Sequence, residues 1–175
     1  MCVSSTLRLR REQVSINVMP LFHLHGLAIN VLATAAAGAA VICAPGTFDA
    51  PLFFKWLAPA APAATTPTWY SAVPTIHQEV LRHATHVKAS TGACPPHKLS
   101  LIRNCSAALP PSVAARMQTE LLNFAGGAPC VLTTYAMTEA LPICSNPVDG
   151  GDDDDAEVEA AAGTKVQAEV EVIEV

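Results

Sequence analysis

Short, almost continuously apolar runs alternate along this chain with segments of helical pattern, and this alternation limits the available folds more than any other feature. The strand-like runs are VSINVM (Val14–Met19), AAVICAP, LSLIRNCSA and APCVLTTY, with ATTPTW as a short extended piece. The helical segments are GLAINVLATAAAG, DAPLFFKWLAP, VPTIHQEVLRHA and LPPSVAARMQTELLNF. Repeated alternation of this kind predicts an α/β fold with a mostly parallel sheet flanked by helices. Near-continuous apolar strands such as AAVICA predict burial on both faces.

Local signals support two of these helices. Asp49 is the expected N-cap of the third apolar segment, because Pro51 follows in the first turn. In VPTIHQEVLRHA the apolar residues Ile76, Val80 and Leu81 recur at helical spacing, which predicts an amphipathic helix. The polar stretch that follows, THVKASTGACPPHK, predicts a loop.

The charge of the chain is unevenly distributed. The formal net charge is −5, but Asp149–Val175 holds ten of the fifteen acidic residues and one of the ten basic ones, so residues 1–148 carry about +4. A mildly basic body is compatible with a small anionic ligand, and it lacks the clustered basic stripe of a nucleic-acid-binding protein. The acidic stretch at 149–163 predicts a solvated low-complexity loop, and the alternating pattern at 164–175 predicts a strand-like tail.

The six cysteines form no C-x-x-C pair, and no signal-peptide pattern is present, so we expect reduced thiols in the cytoplasm. Cys43, Cys105 and Cys130 lie in or beside apolar runs and are expected to be buried. The long uncharged stretch Gly26–Phe48 is rich in alanine and glycine, which favours a buried helix and strand over a membrane span. The C-terminal EVIEV carries no peroxisomal address, although a longer relative could be peroxisomal.

In parallel α/β sheets, ligands bind beyond the carboxyl ends of the strands. Three segments take that position here, namely PLFHLHG, NCSAALPP and TTYAMTEA. We expect no histidine metal site: His23 and His25 would point to opposite faces of a strand, and His83 and His86 have no further ligand nearby.

The pair Thr138-Glu139 has a clear chemical use. A threonine hydroxyl can hydrogen-bond a phosphate oxygen, and a glutamate carboxylate is a suitable ligand for Mg²⁺. Tyr135, three residues earlier, offers a ring face for a nucleobase or ribose. The alternative interpretation is purely structural: Thr138 is the N-cap of a helix and binds no ligand.

Four segments occur together in the order and approximate spacing of a known family. PLFHLHG, WYSAVPTIHQ, NCSAALPP and YAMTEA resemble the AMP-forming acyl-activating enzymes, which include acyl-CoA synthetases, aryl-CoA ligases and luciferases. The likeness is greatest to the peroxisomal-type acyl-CoA synthetase and oxalate–CoA ligase group, over about Leu7–Pro147. It implies that residues 1–175 are a partial AMP-binding domain, from the middle of the large N-terminal domain.

The resemblance implies a two-step reaction and assigns residue roles. A small carboxylic acid attacks the α-phosphate of Mg·ATP, and coenzyme A then takes the acyl group from the adenylate. By resemblance, Thr138 contacts phosphate and Glu139 holds Mg²⁺, and His23 lies near the acyl-phosphate. Tyr135, Ala107 and Ala108 lie along the adenosine, and Ser106 lies near the acyl pocket.

The chain departs from the family in two ways. The glycine-, serine- and threonine-rich phosphate loop, the ribose-binding Thr-Gly-Asp, the hinge and the catalytic lysine are not found in these 175 residues. We therefore expect weak or absent activity from this chain alone. Oxalate ligases usually carry a histidine three residues after the motif glutamate, where this chain has Pro142, which argues against oxalate as substrate.

Two other functions remain open at the level of sequence. The chain could be a nucleotide-binding remnant that associates with a full-length homologue, or a hydrolase using Ser106, Cys105 or Cys144. The hydrolase hypothesis has less support, because NCSAAL lacks the G-x-S-x-G pattern of a nucleophile elbow.

Overall fold

The computed structural model describes residues 3–44, 46–59, 65–122, 130–145 and 148. Its sheet has the strand order β2-β1-β3-β4-β5-β6. The strands are β1 (Val14–Asn17), β2 (Ala40–Cys43), β3 (Trp69–Ala72), β4 (Leu101–Asn104), β5 (Cys130–Met137) and β6 (Ala140–Ser145). The first five are parallel, and β6 pairs antiparallel with β5. The predicted α/β fold with a mostly parallel sheet is confirmed.

Helices connect the parallel strands. They are α1 (Val3–Thr6), α2 (π-helical over His25–Ala33, then α-helical over Thr34–Ala36), α3 (Ala50–Leu57), α4 (Pro74–Thr91) and α5 (Pro111–Arg116, then π-helical over Met117–Leu121). Helix α3 begins as predicted, because the Asp49 carboxylate accepts a hydrogen bond from the Leu52 amide at 2.7 Å.

The three central strands β1, β3 and β4 are buried along their whole length. Neighbouring residues on β3 face opposite sides, so Tyr70 packs with one apolar cluster and Trp69 with another. The larger cluster joins the sheet to α3, α4 and α5 through residues such as Phe53, Leu81 and Met117. This packing holds the carboxyl ends of the central strands at a common edge.

Burial on both faces is a wrong prediction for the run AAVICA. Its strand β2 is an outer strand of the described sheet and pairs only with β1 there. Ala40 and Cys43 are exposed, and Val41 and Ile42 are half-buried. Of the three cysteines expected to be buried, Cys105 is buried as predicted and Cys43 is not, whereas the side chain of Cys130 lies outside the described residues.

Helix α4 continues beyond the predicted helical segment. Its turns over Thr85–Thr91 take up half of the stretch expected to be a loop, and the helix ends at Gly92, whose φ is +80°. The hydroxyls of Thr85 and Thr91 donate to the carbonyls of Leu81 and Val87. Both threonines lie on the exposed face of the helix. The length of strand β3 is greater than predicted, because the predicted extended piece ATTPTW ends at Trp69, the first residue of β3.

Some predictions concern residues outside the described ranges. These are the acidic loop at 149–163 and the strand-like tail at 164–175. Within the described ranges, no helix combines the length and the apolar character needed to cross a membrane.

Gly26 allows the chain to pass close to itself at the start of α2. A Cβ atom at this position would lie 2.3 Å from the Pro20 carbonyl oxygen and 2.8 Å from that of Met19. Both atoms belong to the backbone of the turn that follows β1, so they cannot move aside as a flexible side chain would. The glycine therefore fixes how the PLFHLHG segment folds over the sheet edge.

We expect Gly26→Ala to destabilise the protein by about 1–3 kcal/mol, because the methyl group overpacks against backbone. Helix propensity alone predicts the opposite, a gain of about 1 kcal/mol. Urea unfolding followed by circular dichroism measures the difference. Gly92→Ala is the control, since its left-handed φ carries strain but no atom lies within 4 Å of the added Cβ. A Gly26→Ala protein more stable than the wild type would contradict the close approach.

Candidate active site

The post-strand segments of β1 and β4, with the last residues of β3, meet at one edge of the sheet. Ser15 aligns with Trp69, and Ser71 aligns with Arg103 across β3 and β4. Arg103 aligns in turn with Leu132 on β5. The sequence prediction that these strand ends share an edge follows from the parallel pairing.

The turn after β1 is held by Asn17. Its side-chain amide donates to the Met19 carbonyl at 3.0 Å, and its oxygen accepts from the Met19 amide at 3.1 Å. The same oxygen accepts from Asn30 Nδ2 at 2.8 Å, and Asn30 also donates to the Ser71 carbonyl at 3.1 Å. Asn17 and Asn30 therefore tie β1, α2 and β3 together below the edge.

The two histidines of PLFHLHG occupy different environments. His23 is exposed, and its Nδ1 accepts a hydrogen bond from the His25 amide at 3.1 Å. His25 is 3% exposed, at the first turn of α2. Its Nε2 lies 2.6 Å from Ser71 Oγ, and its Nδ1 lies 3.3 Å from Ser106 Oγ. The geometry expected for a strand, with the two rings on opposite faces, does not apply because a turn and a helix replace it.

Ser71 also contacts a buried cation. Arg103 Nη1 donates to Ser71 Oγ at 3.2 Å, and Arg103 is 1% exposed. Desolvation lowers the pKa of Arg103 below its usual range. Burial, with a smaller repulsion from Arg103, lowers the pKa of His25 to about 3. His25 is therefore neutral at pH 7, and Arg103 carries the positive charge of this cluster.

The segment after β4 forms a tight turn at the same edge. Ser106 has a φ of +73°, an unusual value for a residue with a side chain. Asn104 is buried beneath it and donates from Nδ2 to the Ala107 carbonyl at 2.8 Å. Ser106, Ala107 and Ala108 are all exposed. The turn therefore presents one hydroxyl, over His25, and two small residues that leave room for a flat ligand.

The Thr138-Glu139 pair lies apart from this cluster. It forms the exposed turn of the β5–β6 hairpin, where Met137 pairs with Ala140. The alternative interpretation, in which Thr138 caps the start of a helix, is therefore wrong. Thr133 is the last residue of β5 aligned with β4, so Thr138 lies roughly 17 Å further along the strand direction. Tyr135, on the intervening part of β5, is 48% exposed.

The chemistry of Glu139 fits a magnesium ion that keeps most of its waters. Such an ion binds through one or two carboxylates together with substrate phosphates. Glu139 offers one exposed carboxylate, beside the Thr138 hydroxyl. Within the ranges that the structure describes, no group of three histidine, cysteine, aspartate or glutamate side chains could hold a metal. Among the described residues, Glu139 therefore offers one carboxylate to an ion that other groups would have to complete.

Three residues of the site had no role in the sequence interpretation. His25 was weighed only as a metal ligand, and Ser71 and Arg103 were not singled out. Arg103 did carry a signal, because a charged residue directly follows the apolar pair Leu101-Ile102 within a segment predicted to be a buried strand. Ser71 carried none, because a small polar residue in a buried strand is common.

Comparison with known proteins places this geometry in context. The profile of the family described as AMP-binding enzyme matches residues 1–175. An oxalate–CoA ligase of Arabidopsis thaliana is 40% identical over 149 residues, covering 83% of this chain and 26% of that protein. A probable CoA ligase of Humulus lupulus is 39% identical, covering 85% of this chain and 26% of its own length. The chain thus spans about a quarter of the length of these relatives.

The fold is also similar to that of proteins of known structure. ATP-bound MatB from Rhodopseudomonas palustris superposes with a TM-score of 0.64 at 25% identity, covering 85% of this chain and 26% of that one. The described sheet and helices therefore have the arrangement found in part of a larger protein of known structure.

The buried histidines predict a loss of stability in acid. A histidine with a folded pKa of about 3, or about 4 for His77, takes up its proton on unfolding, where the pKa is near 6.5. The contribution of each neutral histidine to the free energy of unfolding is fully present above pH 6.5. It is lost as the pH falls toward the pKa of that histidine in the folded protein. From pH 7.5 to pH 5, we expect His25 alone to account for about 2 kcal/mol of this loss.

Urea unfolding at the two pH values measures the effect. We expect His25→Gln to remove the His25 part of the pH dependence, whatever its effect on stability at pH 7.5. Ser71→Ala is the matched control, because it removes a hydrogen bond of His25 but keeps the buried, titrating ring. Equal pH dependence in the wild type and in His25→Gln would show that His25 does not titrate in this way.

Proposed function

Because the chain belongs to the AMP-binding enzyme family, we propose that it forms the central part of an ATP-dependent, AMP-forming acid–CoA ligase. A carboxylate oxygen attacks the α-phosphorus of ATP, and the bond to pyrophosphate breaks to give an acyl-adenylate. The thiolate of coenzyme A then attacks the acyl carbon, and AMP leaves.

One observation supports this proposal most strongly: His25 and Ser106, from distant parts of the chain, meet beneath an exposed edge lined by Ala107 and Ala108. A flat ligand can lie on such a surface, with its reacting end toward the polar pair. The hairpin that carries Thr138 and Glu139 continues from the neighbouring strand. Polar groups that converge at strand ends are the usual setting of ligand sites in α/β folds.

We assign the roles as follows. Thr138 donates to a phosphate oxygen, Tyr135 lies against the adenosine, and Ala107 with Ala108 flanks the adenine. His23 is exposed, and its Nδ1 accepts from the His25 amide, so Nε2 is the ring nitrogen that we assign to the acyl-phosphate. Ser106 contacts the acyl group.

Glu139 is the proposed ligand for Mg²⁺, which when bound neutralises charge on the phosphates. The tip of the hairpin leaves this carboxylate accessible from solvent. An exposed position suits a ligand that must meet a hydrated ion together with its nucleotide.

The identity of the carboxylic acid substrate is a more specific part of the proposal. The Arabidopsis thaliana relative is an oxalate–CoA ligase. This chain has Pro142 where such ligases usually have a histidine, so it lacks that side chain to pair with a second carboxylate. We propose a small carboxylic acid other than oxalate as the substrate.

A second candidate function is a nucleotide-binding remnant that associates with a longer homologue. It is favoured by the outer position of β2 in the described sheet, where its edge could pair with another strand. A hydrolase is disfavoured, because a histidine with a pKa of about 3 is a poor general base at neutral pH.

A segment exchange tests the ligase proposal. The aligned segment of the Arabidopsis thaliana oxalate–CoA ligase is replaced by that of this chain, and thioester formation from ATP, coenzyme A and a panel of carboxylic acids is measured. We expect activity, and we expect Glu139→Gln in the exchanged segment to reduce kcat at least ~100-fold, as removal of a group that stabilises transition-state charge does. Glu79→Gln, on the exposed face of α4, is the control.

A folded but inactive exchange protein would argue against the ligase proposal. The 175-residue chain alone, in equilibrium dialysis with labelled ATP and MgCl₂, tests the second candidate. Binding without any pyrophosphate release, together with co-elution with a longer homologue in gel filtration, would favour the remnant.

The same exchange protein tests the choice of acid. We expect it to use oxalate poorly and a monocarboxylate such as acetate or butyrate better. We expect Pro142→His to raise kcat/KM for oxalate at least ~10-fold, because a hydrogen bond to a charged group contributes about 1.5–3 kcal/mol. Unchanged oxalate use after Pro142→His would show that this position does not select the acid.

A further inference from the structure

Four side chains form a continuous hydrogen-bonded series from the sheet interior to the exposed edge. Arg103 Nη1 lies 3.2 Å from Ser71 Oγ, which lies 2.6 Å from His25 Nε2. His25 Nδ1 lies 3.3 Å from Ser106 Oγ. The first three residues are buried, and Ser106 is exposed. The series therefore links a buried charge to the proposed acyl-binding surface.

The direction of each bond follows from what the groups can donate. A guanidinium has only donors, so Ser71 Oγ accepts from Arg103. The single hydroxyl proton of Ser71 then needs an acceptor, and the nearest is His25 Nε2. A neutral imidazole has one N–H, so if Nε2 accepts, Nδ1 carries the proton.

From this we propose that Arg103, acting through Ser71, fixes His25 in its Nδ1–H tautomer, so that Ser106 accepts from His25 and directs its own hydroxyl proton outward to the acyl substrate. This inference rests on the proposed function for the identity of the ligand, which is a carboxylate or the acyl oxygen formed from it. Arg103 and Ser71 are positioning residues, and Ser106 is the group that touches the substrate.

The opposite arrangement leaves a buried group without a partner. If His25 Nε2 carried the proton, Ser71 would accept from both His25 and Arg103, and its own hydroxyl proton would need another acceptor. No other acceptor for it is found in the part of the chain that the structure describes. A hydroxyl that is 0% exposed and lacks an acceptor is costly, so this arrangement is disfavoured.

The backbone contributes to the same alignment. The positive φ of Ser106 and the bond from Asn104 to Ala107 hold the turn in place over His25. The close passage of Gly26 past the Pro20 carbonyl restricts the backbone next to His25. Ser106 therefore has limited freedom to turn its oxygen away from Nδ1.

The tautomer can be measured directly on the 175-residue chain, labelled with ¹⁵N-histidine. Long-range ¹H–¹⁵N spectra at pH 7 distinguish a protonated ring nitrogen from an unprotonated one, and His25→Gln identifies the His25 signals. We expect a protonated Nδ1 and an unprotonated Nε2. An Nε2–H tautomer, or an even mixture of the two, would overturn the proposal.

Substitutions test whether Arg103 is the cause. We expect Arg103→Met to produce an observable Nε2–H population at His25, because Ser71 is then free to accept from the ring. Arg103→Lys keeps a charged donor, and we expect it to retain the wild-type tautomer. Arg82→Met, on the exposed face of α4, is the control. An unchanged tautomer in folded Arg103→Met would overturn the role of Arg103. If that variant does not fold, Ser71→Ala tests the link through Ser71, and an unchanged tautomer there would overturn the proposal.

A titration separates this inference from the proposed function. Sodium acetate and sodium oxalate are added separately to the labelled chain, in the presence of ATP and MgCl₂. A shift of the His25 Nδ1 signal that is lost in Ser106→Ala supports donation from Ser106 to a carboxylate. A fixed Nδ1–H tautomer with no shift from either acid would retain the role of Arg103 in the tautomer but overturn the outward donation. The ligase proposal would be unaffected by that outcome, because the segment exchange tests it separately.

Discussion

The hydrogen bonds of Ser71 are the constraint on which the proposed site depends. Its hydroxyl meets His25 and Arg103, and its carbonyl accepts from Asn30, so one residue of β3 connects α2 to two strands. These groups lie in the interior, where an unmade hydrogen bond is costly. The polar series can therefore form in few ways, and it holds the turn after β1 and the turn after β4 in a fixed relation.

Burial also determines what the site can do chemically. With a pKa of about 3, His25 stays neutral through the physiological range and has little capacity to take a proton. A neutral ring held on both nitrogens is suited to orienting a hydroxyl rather than to activating a nucleophile. This fits a reaction in which the nucleophile is a carboxylate, already ionised at pH 7, better than ester hydrolysis by Ser106.

Sequence reasoning succeeded where the signal was local. The Asp49 cap, the apolar positions Val80 and Leu81 on α4, and the alternation of strands and helices all depend on neighbours within a few residues. It failed where the sheet decided the outcome. AAVICA is as apolar as a central strand, yet β2 has β1 as its only neighbour among the described strands.

The sequence by itself determined the fold class, the family motifs and the positions after the strands where a ligand site would form. Only the tertiary structure decided which residues meet there: His25 rather than His23 contacts Ser106, and Arg103 lies behind them. The physical reason is separation along the chain. His25 is 46 residues from Ser71 and 81 from Ser106, and no local pattern encodes a hydrogen bond between side chains that parallel strands bring together from such distances.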